Sequence, residues 1–466
     1  MTTTRRVPLV VVGAGAAGIF AALAARGAIA GDGSFRTPAS TSPEVLLVDG
    51  SRRPGAKILV SGGGRCNVTN ARVRPTDFET DAPHALRAIL AAFPPEAVRR
   101  FFASRGVPLH EEALGKLFPV TDDARTVLAA LGGALVDAGV HTDFGAVVAK
   151  LERADGGFAV TRTGRDDGIA AARLVVATGG RSLPKTGSTG AGYGFAEALG
   201  LAVLPQQPAL TPLVLGPAHP LEGLAGMTVP ALLTLVQRGT PDEQIAGARF
   251  RPLARAAGSL LVTHRGISGP AALDVSAGCA RSLATGEGAE LVADLWALGG
   301  TRGEAFGFSR AGKPPGACVP PDLAPASIRF EEFHAEVGAV ADARAIGPTL
   351  AAVLPQRLVE RVLAVAGLEA RRAIDSLPLG QWRKLFRAVA RVRLPLAGTA
   401  GYAKAEVTSG GIPLASLGRT TLEARDAPGL HFCGEVVNVT GRLGGFNFQW
   451  AWASGVAAGR AAASAS

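Results

Sequence analysis

The 466-residue chain is 47% hydrophobic and 18% charged, which excludes disorder on a large scale, and its length predicts two or three domains with ample core. Its four cysteines, Cys66, Cys279, Cys318 and Cys433, are widely separated and form no CxxC pair, which argues against a disulfide framework and a structural zinc site and points to a reducing cytoplasm. The formal net charge of +10 would attract polyanions, nucleic acid first among them, although aromatics for base stacking make up only 5% of the chain.

The stretch Val7 to Ala25 is uncharged and about as long as a membrane span. Gly and Ala dominate it, and no comparable span follows, so a strand running into a helix is the better reading and no membrane association is expected. Leu9 to Val12 reads as a buried strand, followed by Gly13-Ala14-Gly15-Ala16-Ala17-Gly18 and an alanine-rich helix ending near Gly27. In that context the first glycine permits a tight turn, the second lets backbone approach a pyrophosphate, and the third allows close helix–strand packing. The helix N-terminus supplies donors and the positive end of a dipole. A Gly, Ser, Thr and Pro segment then reads as a surface loop, after which Val45 to Val48 is the second strand. Asp49 ends it, where an acid would accept the ribose hydroxyls of an adenosine half.

Gly55 to Asn67 is a glycine-dense turn flanked by Lys57, Ser61, Arg65 and Asn67, able to offer backbone donors to a flat or anionic ligand. Leu174 to Ala177 is a third strand of the N-terminal part, where apolar runs alternate with helical patterns as in a parallel sheet with crossover helices. Gly190-Ala191-Gly192-Tyr193-Gly194 is glycine-rich but is not a second GxGxxG, so a stable nicotinamide dinucleotide site is not expected. From about residue 200 the texture becomes β-rich, with Ala231 to Val236 and Ser259 to Val262 as strands. Thr301 to Pro325 reads as a Pro/Gly-rich connector, and Ile328 to Val392 has helical spacing. Within it Trp382, Leu385, Phe386 and Val389 share one face while Arg383, Arg387 and Arg391 line another. The apolar stripe predicts core contact, and such an Arg stripe is more often solvated than bound to RNA, although Lys384 and Arg393 lie nearby. Leu430 to Cys433 and an Ala-rich C-terminal helix are expected to close the first sheet. The expected organisation is therefore 1–199 with 411–466 as a Rossmann-like domain, 200–325 with 394–410 as a β-rich insertion, and 326–393 as a helical insertion.

Several strings are long and unusual: Lys57 with Ser61-Gly62-Gly63-Gly64-Arg65-Cys66-Asn67, Phe118-Pro119-Val120-Thr121, Ala177-Thr178-Gly179-Gly180, Pro184 to Gly190, Thr263 to Pro270, and Gly444-Gly445-Phe446-Asn447-Phe448-Gln449-Trp450-Ala451-Trp452. On these the sequence resembles the BaiN/RdsA-type (YhiN-like) FAD-dependent flavoproteins over nearly its whole length. The resemblance implies an α/β flavoprotein of the two-dinucleotide-binding-domain type, with a Rossmann-like FAD domain and inserted β-rich and small helical domains. By that resemblance Gly13, Gly15, Ala16, Ala17 and Gly18 hold the FAD pyrophosphate, Asp49 and Gly50 the adenosine ribose, and Lys57, Ser61, Gly62 and Asn67 lie along the flavin. Val148, Thr178, Gly179, Gly434 and Glu435 are further expected cofactor contacts. Gly444, Gly445, Phe446 and Asn447 would open a helix toward the pyrimidine edge of the flavin, where a helix N-terminus favours the negative charge of the reduced ring. The family pattern has Asp where this chain has Asn438 and Thr440, so side-chain acids are not assumed there.

The activity implied is reduction of an activated C=C bond, with FAD bound and NAD(P)H docking transiently as reductant. Such a step needs a positioned proton donor, for which Cys66 and His264 are the candidates. Each has a plainer reading, Cys66 as packing in a glycine turn and His264 as a structural imidazole. The resemblance names uridine in 23S ribosomal RNA as substrate, giving dihydrouridine. A small unsaturated steroid-like acid is the alternative, and a non-catalytic flavin-containing RNA-binding factor a third. No metal is called for.

Overall fold

Val10, Val11 and Val12 are fully or almost fully buried, as expected of a β-branched run covered on both faces of a parallel sheet. They belong to strand β1 (Arg5–Val12). A computed structural model gives the fold and describes residues 4–247, 249–296, 318–319, 326–339 and 345–464. Contacts divide the chain into two units, Met1–Gln207 with Glu406–Ser466 and Pro208–Ala405.

In the first unit β1 leads through the glycine turn into helix α1 (Ala16–Ala25) and returns to strand β2 (Val45–Asp49). Strand β1 pairs in parallel with β2 on one side, Leu9 opposite Val45, and with Ile169–Val176 on the other, Val10 opposite Leu174. His141–Phe144 extends the sheet beyond β2, and Leu430–Phe432 pairs in parallel with Leu174–Val176. The chain thus leaves β1 to opposite sides, which opens a crevice at the strand's carboxyl end, the place where such sheets bind ligands. An antiparallel hairpin of Val148–Ala154 and Gly157–Arg162 borders the sheet. The loop between α1 and β2 is pinned rather than loose, because the Arg26 guanidinium donates to the carbonyls of Ala138, Ser42 and Pro43 at 2.8–2.9 Å.

The helix Phe446–Ser464 lies against α1 at backbone distance. A side chain at Gly455 would overlap Ala17 O, and one at Gly459 would overlap Ala21 O. Phe20 of α1 then meets Trp452 with ring centroids 4.5 Å apart and Phe101 at 4.6 Å, forming an aromatic centre that fixes the two helices relative to each other.

The second unit has an antiparallel sheet built around Thr228–Gln237 and Ala254–Thr263, flanked by Ala289–Asp294, Val392–Leu394, Gly266–Ser268, Leu213–Leu215 and Leu396–Thr399. Phe333, Leu358 and Trp382, from the helices Phe330–Ala339, Gln356–Ala366 and Leu379–Ala390, share a core with Leu233 and Leu260 of the sheet. The connector expected at Thr301–Pro325 lies outside the described residues, apart from Cys318–Val319, which pairs with Ala257 and Gly258. The Arg stripe is largely used within the unit. Arg387 binds Asp242 at 3.0 Å, buried Arg391 donates to Ile328 O at 2.6 Å beside Asp294, and Arg383 lies over the Phe330 ring. Among the described residues, no helix is long and apolar enough to cross a membrane.

Candidate functional site

Gly13 adopts φ +105°, and a side chain there would overlap Ala177 O, while one on Gly18 would overlap Gly13 O. These two glycines let the turn fold flat against the carboxyl ends of β1 and Ile169–Val176. Gly15 is different: a Cβ there would meet nothing within 4 Å, and no side chain caps the N-terminus of α1. The crevice therefore presents the start of α1, Ala16 and Ala17 included, as an open anion-binding end. Asp49 fixes the turn from β2. Its Oδ2 accepts from Ala14 N at 2.6 Å and its Oδ1 from Ser51 N at 2.7 Å, which leaves further lone pairs for the hydroxyls of a ribose. Ala146 N donates to Asp49 O at 3.1 Å, and Val147 packs on Gly50, so Val148 starts its strand beside the tip of β2.

Three distant segments meet at Lys57. Its Nζ donates to Ser182 Oγ at 2.6 Å and to Glu435 Oε2 at 2.5 Å. Glu435 Oε1 accepts from the Ser182 hydroxyl at 2.7 Å and from Thr408 N at 2.9 Å. Thr408 Oγ1 in turn accepts from the backbone of Arg181 at 2.8 Å and Ser182 at 3.1 Å. Gly180 must be glycine here, since a Cβ would collide with Thr408 and Glu435. Thr178 Oγ1 is buried without a partner, and a Cβ on Gly192 would overlap it. Gly192 thus allows close packing of its helix on the end of the strand Ile169–Val176, whereas Gly194 faces open space.

The turn at 61–64 bulges outward. Gly62, Gly63 and Gly64 have φ of 56°, 70° and 87°, Val60 is 54% exposed, and Ser61 Oγ donates back to Ile58 O at 2.8 Å. In the amide orientation that satisfies its neighbours, Asn67 donates to Thr69 O at 2.9 Å and accepts from Gly445 N at 3.1 Å. It therefore ties this turn to the start of the C-terminal helix. Asn447 locks the same helix start by accepting from Gly441 N and donating to Gly441 O, both at 2.8 Å. Gly444 O accepts from Asn70 Nδ2 at 3.1 Å, and Phe446 sits buried against Phe78. Gly434 contributes no side chain because Ala17 Cβ lies 2.7 Å from where its Cβ would stand.

Of the two proton-donor candidates, Cys66 is wholly buried at φ +62° under the turn, and burial pushes its thiol up to about 12. His264 is exposed at the tip of the Ala254–Thr263/Gly266–Ser268 hairpin of the second unit. Residues that the sequence did not single out are Ser182, Thr408 and a cluster beside the turn: His110, Glu112 and Asp122, whose ligand atoms lie within 4.8 Å of one another. Arg65 already bonds both acids of that cluster, Glu112 at 2.6 Å and Asp122 at 3.4 Å.

The residues at the crevice fit an FAD. An uncapped helix start, a glycine with open space at its centre, an acid at the adjacent strand end and an orphaned buried hydroxyl are the donor and acceptor set that a pyrophosphate and ribose require. Comparison with known proteins agrees. The HI0933-like protein Rossmann domain matches residues 7–461. The ribosomal RNA dihydrouridine synthase of Escherichia coli is 35% identical over 451 residues, 96% of each chain. The 3-dehydro-bile acid delta(4,6)-reductase of Clostridium scindens is 29% identical over 454 residues, 97% of this chain and 98% of the other. The 3-ketosteroid-delta4-(5alpha)-dehydrogenase of Rhodococcus jostii RHA1 matches 99% of this chain and 100% of its own, at 16% identity and a TM-score of 0.44. Named relatives of both kinds are enzymes, which leaves the non-catalytic reading without support. The chain belongs to the HI0933-like family, the one its motifs resemble, and is an FAD-dependent oxidoreductase.

Proposed function

We propose that the enzyme reduces the C=C bond of a uridine in 23S ribosomal RNA, giving dihydrouridine, with NAD(P)H as transient reductant. The observation that carries this reading is the 35% identity to an rRNA dihydrouridine synthase across 96% of both chains. The net charge of +10 accords with a polyanionic substrate.

When bound, FAD supplies the hydride that the double bond accepts. The protein's part is placement and charge. The α1 start and Gly13 to Gly18 would hold the pyrophosphate, and Asp49 with Gly50 the ribose. Lys57, anchored by Glu435 and Ser182, keeps a cation beside the outward turn at 61–64. The start of the C-terminal helix, held by Asn67 and Asn447, would offer its positive end to the negative charge that a reduced flavin carries. A nucleobase reaches such a site only when unpaired or extruded from its stack.

A second reading, reduction of a small steroid-like unsaturated acid, has the support of the bile acid reductase at 29% identity. The two differ in substrate and share the same redox step. Ribosomal RNA from cells with and without the gene separates them: loss of dihydrouridine from the large-subunit RNA on deletion is expected, and unchanged content refutes the RNA assignment.

A further inference from the structure

We infer that His110 is the proton donor of the reduction, oriented by Asp122. The inference rests on the C=C reduction proposed above and on the 61–64 turn lying along the flavin.

His110 stands on the strand Leu109–Glu112, directly opposite Phe118 on the antiparallel strand Lys116–Pro119. The two rings are 6.3 Å apart between centroids. Phe118 in turn abuts the turn, with its Cε1 3.0 Å from where a Cβ on Gly62 would stand. One buried ring therefore separates the imidazole from the glycine turn. Arg65, within the same glycine-rich loop, lies over that ring at 4.1 Å.

The partners of the imidazole are built for orientation. His110 Nε2 is 3.2 Å from Asp122 Oδ1. Asp122 holds φ +50° in a tight turn closed by its own N–H to Pro119 O at 2.8 Å, a left-handed conformation that Asp adopts more readily than most residues. With Nε2 on the carboxylate, Nδ1 is the nitrogen left to exchange a proton with a substrate. The cluster is not a vacant metal site, because the Arg65 guanidinium bonds both Glu112 and Asp122. His110 is 37% and Asp122 48% exposed along their side chains, so water can restore the proton after each turnover. Cys66, by contrast, meets no solvent.

Hydride forms a C–H bond at one alkene carbon, and the π pair moves to the neighbouring carbon, conjugated to the carbonyl. That carbon takes the proton from His110 Nδ1, and the broken N–H pair stays on nitrogen. The two electrons come from NAD(P)H, and the imidazole recovers its proton from water.

The FAD-loaded protein allows the half-reactions to be separated in stopped flow. In His110→Gln, bleaching by NADPH and reoxidation by ferricyanide, which takes electrons alone, are expected unchanged. Reoxidation by unmodified 23S rRNA or by a 3-oxo-Δ4 steroid should slow by about 10²-fold or more, the usual worth of a positioned acid. Asp122→Asn should slow the same step by a smaller factor, and added imidazole should restore part of it in His110→Ala. The bound-flavin spectrum and melting temperature report folding independently of turnover; if His110→Gln loses either, the Asp122→Asn rate decides. Reoxidation by an alkene at the wild-type rate in these variants overturns the assignment. A wild-type protein reoxidised by ferricyanide but by neither alkene refutes the proposed C=C reduction itself, and the assignment falls with it.

Discussion

Lys57 and Glu435 are 378 residues apart in the chain and 2.5 Å apart in space. Each was recognisable as a candidate from its local motif, yet nothing local announces that they bind each other, nor that Ser182 and Thr408 complete the network. Contacts of that separation depend on where whole strands end. Cys66 shows the complementary case, in which the position was legible and the environment was not. A cysteine in a glycine turn flanked by Lys and Arg could be activated, but complete burial pushes its thiol up to about 12 from the ordinary 9.0. The folded state holds the proton more tightly than the unfolded state, so this contribution to stability is present in full below about pH 9 and is lost as pH rises toward about 12. Melting temperature measured between those limits should therefore fall more steeply for the wild type than for Cys66→Ala, and equal slopes would remove Cys66 as a contributor.

Among elements, β1, α1 and β2 were readable because patterning and turn chemistry agree: a β-branched run, a glycine turn, an alanine helix and an acid-ended strand. The extra strands Gly157–Arg162 and Lys116–Pro119 were not: the second is four residues long, too short for a period to declare itself, and the first alternates but ends in a buried Arg162 that reads as solvent-facing. The C-terminal helix was legible as a helix, but its role was hidden in two glycines. Gly455 and Gly459, four residues apart on one face, allow backbone contact with Ala17 and Ala21. A methyl at Gly459 meets a backbone carbonyl that no rotamer change can move. Gly459→Ala should destabilise the protein by about 1–3 kcal/mol, the usual cost of overpacking, seen as a lower melting temperature and weaker FAD retention. An unchanged melting temperature would mean that the two helices separate at no cost. Gly15→Ala provides the contrast at the other end of α1: open space surrounds it, so any loss there should appear in FAD binding rather than in the fold.

At the scale of the molecule, composition and charge excluded more than they assigned. High hydrophobic and low charged content ruled out disorder on a large scale, and the basic balance admitted RNA without requiring it. The Arg stripe on Leu379–Ala390 illustrates why net charge is a weak guide. Much of it is engaged by Asp242 and by buried carbonyls of its own unit, so the basic residues counted in the +10 do not form a free basic patch there. The fold and the glycine turn of the candidate crevice were legible because they rest on backbone conformation that only certain residues permit. Substrate identity was not, because uridine and an unsaturated steroid ask the same chemistry of one redox centre.

The most direct measurement is therefore reoxidation of the NADPH-bleached protein by unmodified 23S rRNA, followed with product analysis at low and high salt. RNA is expected to restore the yellow flavin and acquire dihydrouridine, at a rate that falls steeply with salt as phosphate contacts are screened and counterions compete. A flavin that stays bleached with RNA, yet is reoxidised by a 3-oxo-Δ4 steroid at a salt-independent rate, would contradict it.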